Sequence, residues 1–245
     1  MSGTKPRSVL ITSADVGAGK STITANLGIL LAQIDRSVLL VDADLRRPVL
    51  HTLLQVPNVL GLSSYLSGRA MLEAVVTRTA VPKLSLMPSG PIPPNASDLL
   101  ASRRMRDLLE AVAEQYDLVL LDSPPVLAVS DATTLAPVVD GILLVVGSGV
   151  PEVSLRRAKE QLEAVHGRIL GAVVNQREVR HAGDRALDGL ARVPQAAAAG
   201  LGGAGRAVAA YGAGVAETSH RAGHRAMSGL AGASRAGAAR LGGAV

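Results

Sequence analysis

A glycine-rich segment between a short apolar run and a helical pattern constrains the fold of this chain most. Residues 9–12 are apolar or β-branched, and the segment at residues 13–22 reads SADVGAGKST. With this spacing the backbone N–H groups of the loop cradle phosphates, the lysine reaches the β- and γ-phosphates, and the serine faces Mg²⁺. Glycines let the backbone approach the phosphates without a Cβ clash. The predicted nucleotide-binding residues of this loop are Asp15, Val16, Gly17, Ala18, Gly19, Lys20, Ser21 and Thr22.

Two further apolar segments each end in an aspartate. Residues 38–48 read VLLVDADLRRP, and residues 117–125 read DLVLLDSPP. Asp42 and Asp44 each suit a general base or a carboxylate of the Mg²⁺ shell, and Asp122 suits the Mg²⁺ shell, usually through water. The alternative for each is a loop cap, because aspartate is common directly after strands. Three motifs in this order predict a site for a nucleoside triphosphate with magnesium.

Four other polar residues lie in or near these motifs, and each has two possible roles. Arg46 and Arg47 could steady a phosphate or an acidic substrate, or lie solvated on the surface. Asn175 ends the last apolar segment, where it could hydrogen-bond a nucleotide base or close a simple turn. Asp131 begins a helical stretch, and its better interpretation is a helix N-cap.

Apolar and helical segments alternate along most of the chain. Strands are predicted at residues 9–12, 38–42, 84–88, 118–122, 142–146 and 169–175, and helices at residues 20–33, 97–115 and 152–166. Continuous Leu, Val and Ile runs are typical of parallel strands that are buried on both faces. We therefore predict an α/β fold of the P-loop type, with a mostly parallel sheet flanked by helices on both faces. Ligands of such sheets bind beyond the carboxyl ends of the strands, where all three motifs lie.

The last part of the chain has a different composition. Residues 181–245 are rich in Ala, Gly and Arg, and five arginines against one glutamate after residue 195 supply most of the net charge of +5. So little bulky apolar surface does not offset the entropy of ordering the backbone. We predict a P-loop domain at residues 1–180 and a disordered low-complexity tail at residues 181–245. Spaced arginines without aromatics are a weak signal for nucleic acid or anionic lipid, so nucleic acid is not an expected partner.

Several protein classes are excluded by composition. The absence of cysteine rules out disulfide frameworks and thiolate chemistry. No apolar stretch reaches the roughly 18 residues that a membrane span needs. The first residues lack the long apolar region of a secretory signal. These observations predict a cytoplasmic protein.

With these motifs the chain resembles the cytoplasmic P-loop domain of the bacterial tyrosine kinases. The most specific match is PSGPIPPNASDLLASRRM at residues 88–105, and GLSSYLSG at residues 61–68 also resembles a segment of that family. VDADLRRP resembles its Walker A′ motif and LLDSPP its Walker B motif. Asp15 stands where the partition and division-site ATPases carry a signature lysine. The bacterial tyrosine kinases also lack a lysine at this position.

The resemblance implies a protein-tyrosine autokinase of capsular or exopolysaccharide biosynthesis that uses ATP and Mg²⁺. It implies that Lys20 is catalytic, that Asp42 activates the tyrosine hydroxyl, and that Ser21, Asp44 and Asp122 organise Mg²⁺. A membrane-embedded chain-length or activator protein is the implied partner, which would recruit the chain to the inner face of the plasma membrane, and self-association is possible. Tyr211, the one tyrosine of the tail, is the candidate phosphoacceptor. The alternative is an ATP-dependent dimerising switch, related to the partition and division-site ATPases, without kinase activity.

Overall fold

Seven strands form one sheet in the computed structural model, which describes residues 6–175. The predicted tail at residues 181–245, including Tyr211, lies outside the described residues. The strands are Ser8–Ser13 (β1), Val38–Asp42 (β2), Thr77–Arg78 (β3), Leu84–Met87 (β4), Leu118–Asp122 (β5), Gly141–Gly147 (β6) and Ile169–Asn175 (β7). Their order across the sheet is β3-β4-β2-β5-β1-β6-β7. All neighbours pair in parallel except β3 and β4, which confirms the predicted mostly parallel sheet.

Helices connect the strands and cover the sheet. They are Lys20–Gln33 (α1), Leu50–Leu53 (α2), Leu62–Leu66 (α3), Leu72–Val75 (α4), Ala96–Ala101 (α5), Arg103–Gln115 (α6), Asp131–Leu135 (α7) and Glu152–Ala164 (α8), with a 3₁₀ turn at Ala136–Val138. Alternate strand residues belong to two separate apolar clusters. Because α1 and α2 contribute to one cluster and α3 to α8 to the other, the sheet is covered on both faces, as predicted.

Three strands that carry the motifs lie side by side in the middle of the sheet. β5 pairs with β2 on one side and with β1 on the other, and Asp42 is the register partner of Asp122. Since the strands are parallel, their carboxyl ends reach the same edge of the sheet. The fold therefore brings the three motifs together at that edge, as predicted.

The structure differs from the predicted elements at a few positions. The helix predicted at residues 97–115 is interrupted at Ser102, whose backbone is extended and whose hydroxyl donates to the carbonyl oxygen of Leu99 at 2.6 Å. The helix predicted to reach His166 ends at Ala164, because His166 adopts a left-handed backbone conformation with φ of 60°. β3 and the short helices α2, α3 and α4 were not predicted, whereas the helical stretch expected to begin at Asp131 is α7. Over residues 6–175, no helix combines the length and the apolar character needed to cross a membrane.

Candidate nucleotide and metal site

The glycine-rich loop joins the end of β1 to the start of α1. Gly17 and Gly19 both have a φ of 83°, a left-handed conformation that favours glycine. The hydroxyl of Ser13 donates to the carbonyl oxygen of Asp15 at 2.6 Å, which fixes the first part of the loop. Val16 at the tip is 69% exposed. The 14-residue helix α1 begins directly after the loop, and its free N–H groups and dipole favour an anion there.

Asn175 at the end of β7 contacts this loop. Its Nδ2 donates to the carbonyl oxygen of Ala18 at 2.9 Å. A Cβ atom on Gly19 would collide with the Asn175 amide, so the loop and the end of β7 approach each other too closely for another residue. The structure places the Asn175 amide nitrogen on the loop backbone, and contact of its other amide atom with a base stays a prediction.

Lys20 is the first residue of α1 and is only 8% exposed. Burial lowers the pKa of its ammonium group, while the negative charges of Asp122 and Asp44 raise it. The lysine therefore lies near both carboxylates, within the site predicted from the loop motif.

Asp122 ends β5 and is buried beneath the start of α1. Its Oδ1 accepts a hydrogen bond of 3.4 Å from the hydroxyl of Thr24, and Oδ2 has no partner among residues 6–175. Burial raises the pKa of Asp122 to about 7, although the nearby Ser21 hydroxyl and the charge of Lys20 act in the opposite direction. The pairing of Ser21 with Asp122 at a metal stays a prediction.

Asp42 ends β2 and has no exposed surface. Its Oδ2 accepts a hydrogen bond of 3.0 Å from the backbone N–H of Leu50, and its Oδ1 is without a partner in the described part of the chain. Burial, followed by the charge of Asp122, raises the pKa of Asp42 well above its usual range. In its ionised form, a carboxylate with a raised pKa is a stronger proton acceptor than an ordinary aspartate.

Asp44 lies two residues beyond β2 and is partly buried. Its Oδ1 accepts hydrogen bonds from the backbone N–H groups of Arg46 at 3.2 Å and Arg47 at 2.9 Å. The carboxylate therefore caps its own loop. It also acts electrostatically on Lys20 and Asp122, so the capping role and a place in the site coexist.

One of the sequence interpretations, that of Asp131, is wrong. Asp131 is not a helix N-cap, because Ser130 holds that position and the Asp131 carboxylate makes no cap hydrogen bond. Its carboxylate instead forms an ion pair with Arg46, with 2.8 Å between Nε and Oδ2. Arg46 is therefore ion-paired although its side chain is 44% exposed, and Arg47 is also exposed.

The donor set at this edge fits a magnesium ion. Asp42 and Asp122 each keep one buried carboxylate oxygen without a partner among the described residues, and a buried oxygen of this kind is costly unless something binds it. No group of three or more His, Cys, Asp or Glu side chains within residues 6–175 forms a ready metal cage. Mg²⁺ needs none, because it is usually held by one or two carboxylates together with phosphates and water.

Two residues near the site were missed in the sequence. Thr24 is buried and donates to both the carbonyl oxygen of Lys20, at 3.0 Å, and the Asp122 carboxylate. Its position four residues after Lys20, on the same face of α1, was the available signal. Ser97 bridges Arg46 and Asp131, and nothing in its local sequence indicates that contact.

Known proteins resemble this chain over the described region. Residues 7–150 match the family model described as an AAA domain. The chain is 43% identical over 174 residues to the tyrosine-protein kinase YwqD of Bacillus subtilis, which covers 71% of this chain and 73% of that protein. It is 37% identical to the tyrosine-protein kinase CpsD of Streptococcus agalactiae, over 71% of this chain and 77% of that one.

Solved structures also show similarity to a bacterial tyrosine kinase. The kinase domain of the Escherichia coli tyrosine kinase Etk superposes with a TM-score of 0.70 at 37% identity, over 74% of this chain and 72% of that one. The septum site-determining protein MinD of Pyrococcus horikoshii, complexed with Mg-ADP, superposes with a TM-score of 0.60 at 28% identity, over 72% of each chain. The P-loop architecture, the three converging motifs and the identity to several kinases agree, and the chain belongs to the family of bacterial tyrosine-protein kinases.

Proposed function

We propose that this chain is an ATP-dependent protein-tyrosine kinase that transfers the γ-phosphoryl group of ATP to a tyrosine, in capsular or exopolysaccharide biosynthesis. The observation that carries the proposal is the pair of buried carboxylates, Asp42 and Asp122, beside Lys20 at the end of the glycine-rich loop. Family membership supports the reaction class. Phosphoryl transfer needs mainly positioning and charge neutralisation, which a lysine, a metal and carboxylates supply.

The loop and the start of α1 would hold the triphosphate. The backbone N–H groups of residues 15–19 and the N-terminus of α1 donate to phosphate oxygens, and the ammonium group of Lys20 neutralises the charge that develops during transfer. The side chains of Ser21 and Thr22 would complete the binding segment. Asn175 supports this cradle through its hydrogen bond to Ala18.

Ser21, Asp44 and Asp122 would hold Mg²⁺. The hydroxyl of Ser21 and the free oxygen of Asp122 supply the hard oxygen donors that this ion prefers. The ion, when bound, neutralises charge on the phosphate oxygens. Thr24 keeps the Asp122 carboxylate in a fixed direction.

Asp42 would act as the general base for the acceptor tyrosine. Its free Oδ1 accepts the hydroxyl proton as the tyrosine oxygen forms a bond to the γ-phosphorus. The bond from that phosphorus to the β–γ bridging oxygen breaks, and its electron pair leaves with ADP. The raised pKa of Asp42 makes its ionised carboxylate a stronger proton acceptor than an ordinary aspartate, which suits this role.

A membrane-embedded activator protein would be the partner of this kinase, and Tyr211 its candidate phosphoacceptor. Family membership supports the partner, and Tyr211 is the one tyrosine among residues 181–245. Such a partner would recruit the chain to the inner face of the membrane, and self-association would present one tail to another subunit.

Incubation of the full chain with ATP and Mg²⁺, followed by mass spectrometry of phosphotyrosine, tests the proposal. We expect phosphate on Tyr211 or on a co-encoded protein, and its loss in Lys20→Met. Asp42→Asn should lower the rate by about 10²–10⁴-fold, the range expected for a general base, with nucleotide binding retained. Asp140→Asn is the matched control, because Asp140 caps backbone N–H groups at the opposite edge of the sheet.

The second candidate is an ATP-dependent dimerising switch without kinase activity. The similarity to a MinD protein that was solved with Mg-ADP supports it. ADP release that depends on Lys20, together with ATP-dependent dimerisation and no phosphotyrosine on any protein with an activator present, would favour the switch. Phosphotyrosine that disappears in Lys20→Met would exclude it.

A further inference from the structure

A buried ion pair connects the turn after β2 with the start of α7. The Asp131 carboxylate has no exposed surface, whereas the Arg46 side chain is 44% exposed. The guanidinium group binds both carboxylate oxygens, with 2.8 Å from Nε to Oδ2 and 3.1 Å from the terminal nitrogen to Oδ1. A two-pronged pair of this kind fixes the direction of the arginine as well as its distance.

Ser97 of α5 joins the same pair. Its hydroxyl lies 2.7 Å from Oδ1 of Asp131 and 2.8 Å from the terminal nitrogen of Arg46. Three elements therefore meet at one carboxylate: the turn after β2, the first residues of α5 and the first residue of α7. The Arg46 side chain cannot turn away without leaving a buried charge unpaired, which is strongly unfavourable.

The backbone of Arg46 is in turn a hydrogen-bond donor to Asp44. Oδ1 of Asp44 accepts the N–H of Arg46, so the direction of this carboxylate depends on where the arginine backbone lies. The loop that precedes Asp131 also contacts the glycine-rich loop region, because Val126 N–H donates to the Ser13 carbonyl oxygen at 2.8 Å. The ion pair thus connects the segment after β5 with the carboxylate after β2.

We propose that Asp131 is a positioning residue, which acts through Arg46 and Ser97 to hold Asp44 in the direction needed for magnesium at the nucleotide. The inference rests on the proposed function only in assuming that a nucleotide binds with Mg²⁺ at this edge of the sheet. Asp131 itself does not touch the metal or the nucleotide. Its effect on the site passes through the ion pair and the backbone of Arg46.

The test measures binding of a fluorescent ADP analogue to the full chain, in EDTA and along a Mg²⁺ titration. Asp131→Asn removes the charge of the pair, and Arg46→Lys keeps a charge but loses the guanidinium fork. We expect each variant to need about 10–100-fold more Mg²⁺ for half-maximal metal-dependent binding, the usual effect of losing a residue that orients a metal ligand. Binding in EDTA should stay at the wild-type value.

Two controls separate positioning from a general loss of stability. Asp140→Asn removes a carboxylate that accepts two backbone N–H groups at the far edge of the sheet, so it should lower the melting temperature and leave the Mg²⁺ requirement unchanged. The double variant Arg46→Lys/Asp131→Asn should need no more Mg²⁺ than the more affected single variant, because both changes break one interaction.

A wild-type Mg²⁺ requirement in folded Asp131→Asn would overturn the proposal, and so would additive effects in the double variant. If Asp131→Asn does not fold, the test rests on Arg46→Lys alone, and a wild-type Mg²⁺ requirement in that variant would overturn the proposal. The outcome is independent of kinase activity. A shifted Mg²⁺ requirement without any phosphotyrosine would support the positioning role and contradict the proposed kinase.

Discussion

At the scale of single residues, the carboxyl groups of Asp42 and Asp122 meet at the same register of adjacent parallel strands without solvent contact. Like charges this close cannot both ionise without cost, and burial adds to that cost. The metal-free protein therefore binds protons more tightly at a place where a metal ion would otherwise supply the compensating positive charge.

This arrangement makes stability depend on pH. Burial raises the pKa of Asp122 from the ordinary 3.8 to about 7, so the folded state binds its proton more tightly than the unfolded state. The resulting stabilisation is complete below the unfolded pKa and is lost as the pH rises through the folded value. We expect the free energy of unfolding of the metal-free protein to fall between about pH 4 and about pH 7. Urea titrations in EDTA across this range would measure it.

Asp122→Asn should flatten that fall, since the amide does not titrate. Asp140→Asn serves as the control, because hydrogen bonds from Arg7 and Ser8 lower the pKa of Asp140 despite its partial burial. The contribution of Asp140 is therefore lost only as the pH falls below the usual carboxyl range. A wild-type stability that rises over the same interval relative to Asp122→Asn would contradict the expectation.

At the scale of elements, β7 contributes to the loop although its own sequence carries no phosphate motif. Asn175→Ala removes the hydrogen bond from its amide to the Ala18 carbonyl oxygen. A net hydrogen bond is worth about 0.5–1.5 kcal/mol, so ADP affinity should fall by roughly 2- to 13-fold. Fluorescence titration with an ADP analogue would measure the change.

Asn175→Asp is the informative companion variant. It would place a carboxylate oxygen against the Ala18 carbonyl oxygen, so its ADP affinity should fall below that of Asn175→Ala. Both variants should keep a melting temperature close to the wild-type value, since Asn175 is at the end of an edge strand. Equal affinity in wild type and both variants would show that the loop does not depend on this contact.

Individual elements differ in how far the sequence predicts them. The bounds of α1 agree with the prediction because the spacing of the glycine-rich motif places a helix start directly after Gly19. The break at Ser102 was missed because serine is not a strong helix breaker, although Leu100 and Met105 are five residues apart, one more than the helical spacing. Two-residue β3 is too short to show any period. The ion pair of Arg46 with Asp131 joins residues 85 positions apart, and local patterns do not contain such contacts.

At the scale of the whole molecule, the two apolar clusters on either side of the sheet hold the site together. Leu120 lies in the middle of β5, the strand between the other two motif strands, and is fully buried. We expect Leu120→Ala to lower the free energy of unfolding by about 2–5 kcal/mol, because it removes buried methyl groups and leaves a cavity. Denaturant titration would measure this change.

Val174→Ala is the matched control for that experiment. Val174 is 64% exposed on β7, so its truncation should change the free energy of unfolding by less than about 0.5 kcal/mol. A Leu120→Ala variant as stable as Val174→Ala would contradict the assignment of β5 to the core. The Mg-ADP affinity of the folded fraction should stay the same in both variants, since neither side chain lies in the site.

The overall architecture could be predicted because continuous apolar strands and alternating helices admit few arrangements. Parallel strands must share one direction, so Ser13, Asp42 and Asp122 had to emerge at one edge. The sequence therefore predicts which residues meet at the site, but not the contacts that each side chain makes there. Which carboxylate oxygens stay free depends on individual contacts, such as Leu50 N–H with Asp42 and Thr24 with Asp122, which follow from side-chain packing.

The edge position of β7 has a consequence for motion. Among the described strands it pairs with β6 alone, and its residues alternate between partly buried and exposed, whereas β1, β2 and β5 lie in the centre of the sheet. Amide hydrogens in the central strands should exchange only when the whole domain unfolds, and those of β7 through local fraying. Each fraying event that carries Asn175 away also frees the Ala18 carbonyl. The order of the glycine-rich loop is therefore linked to the fraying of a strand at the side of the described sheet.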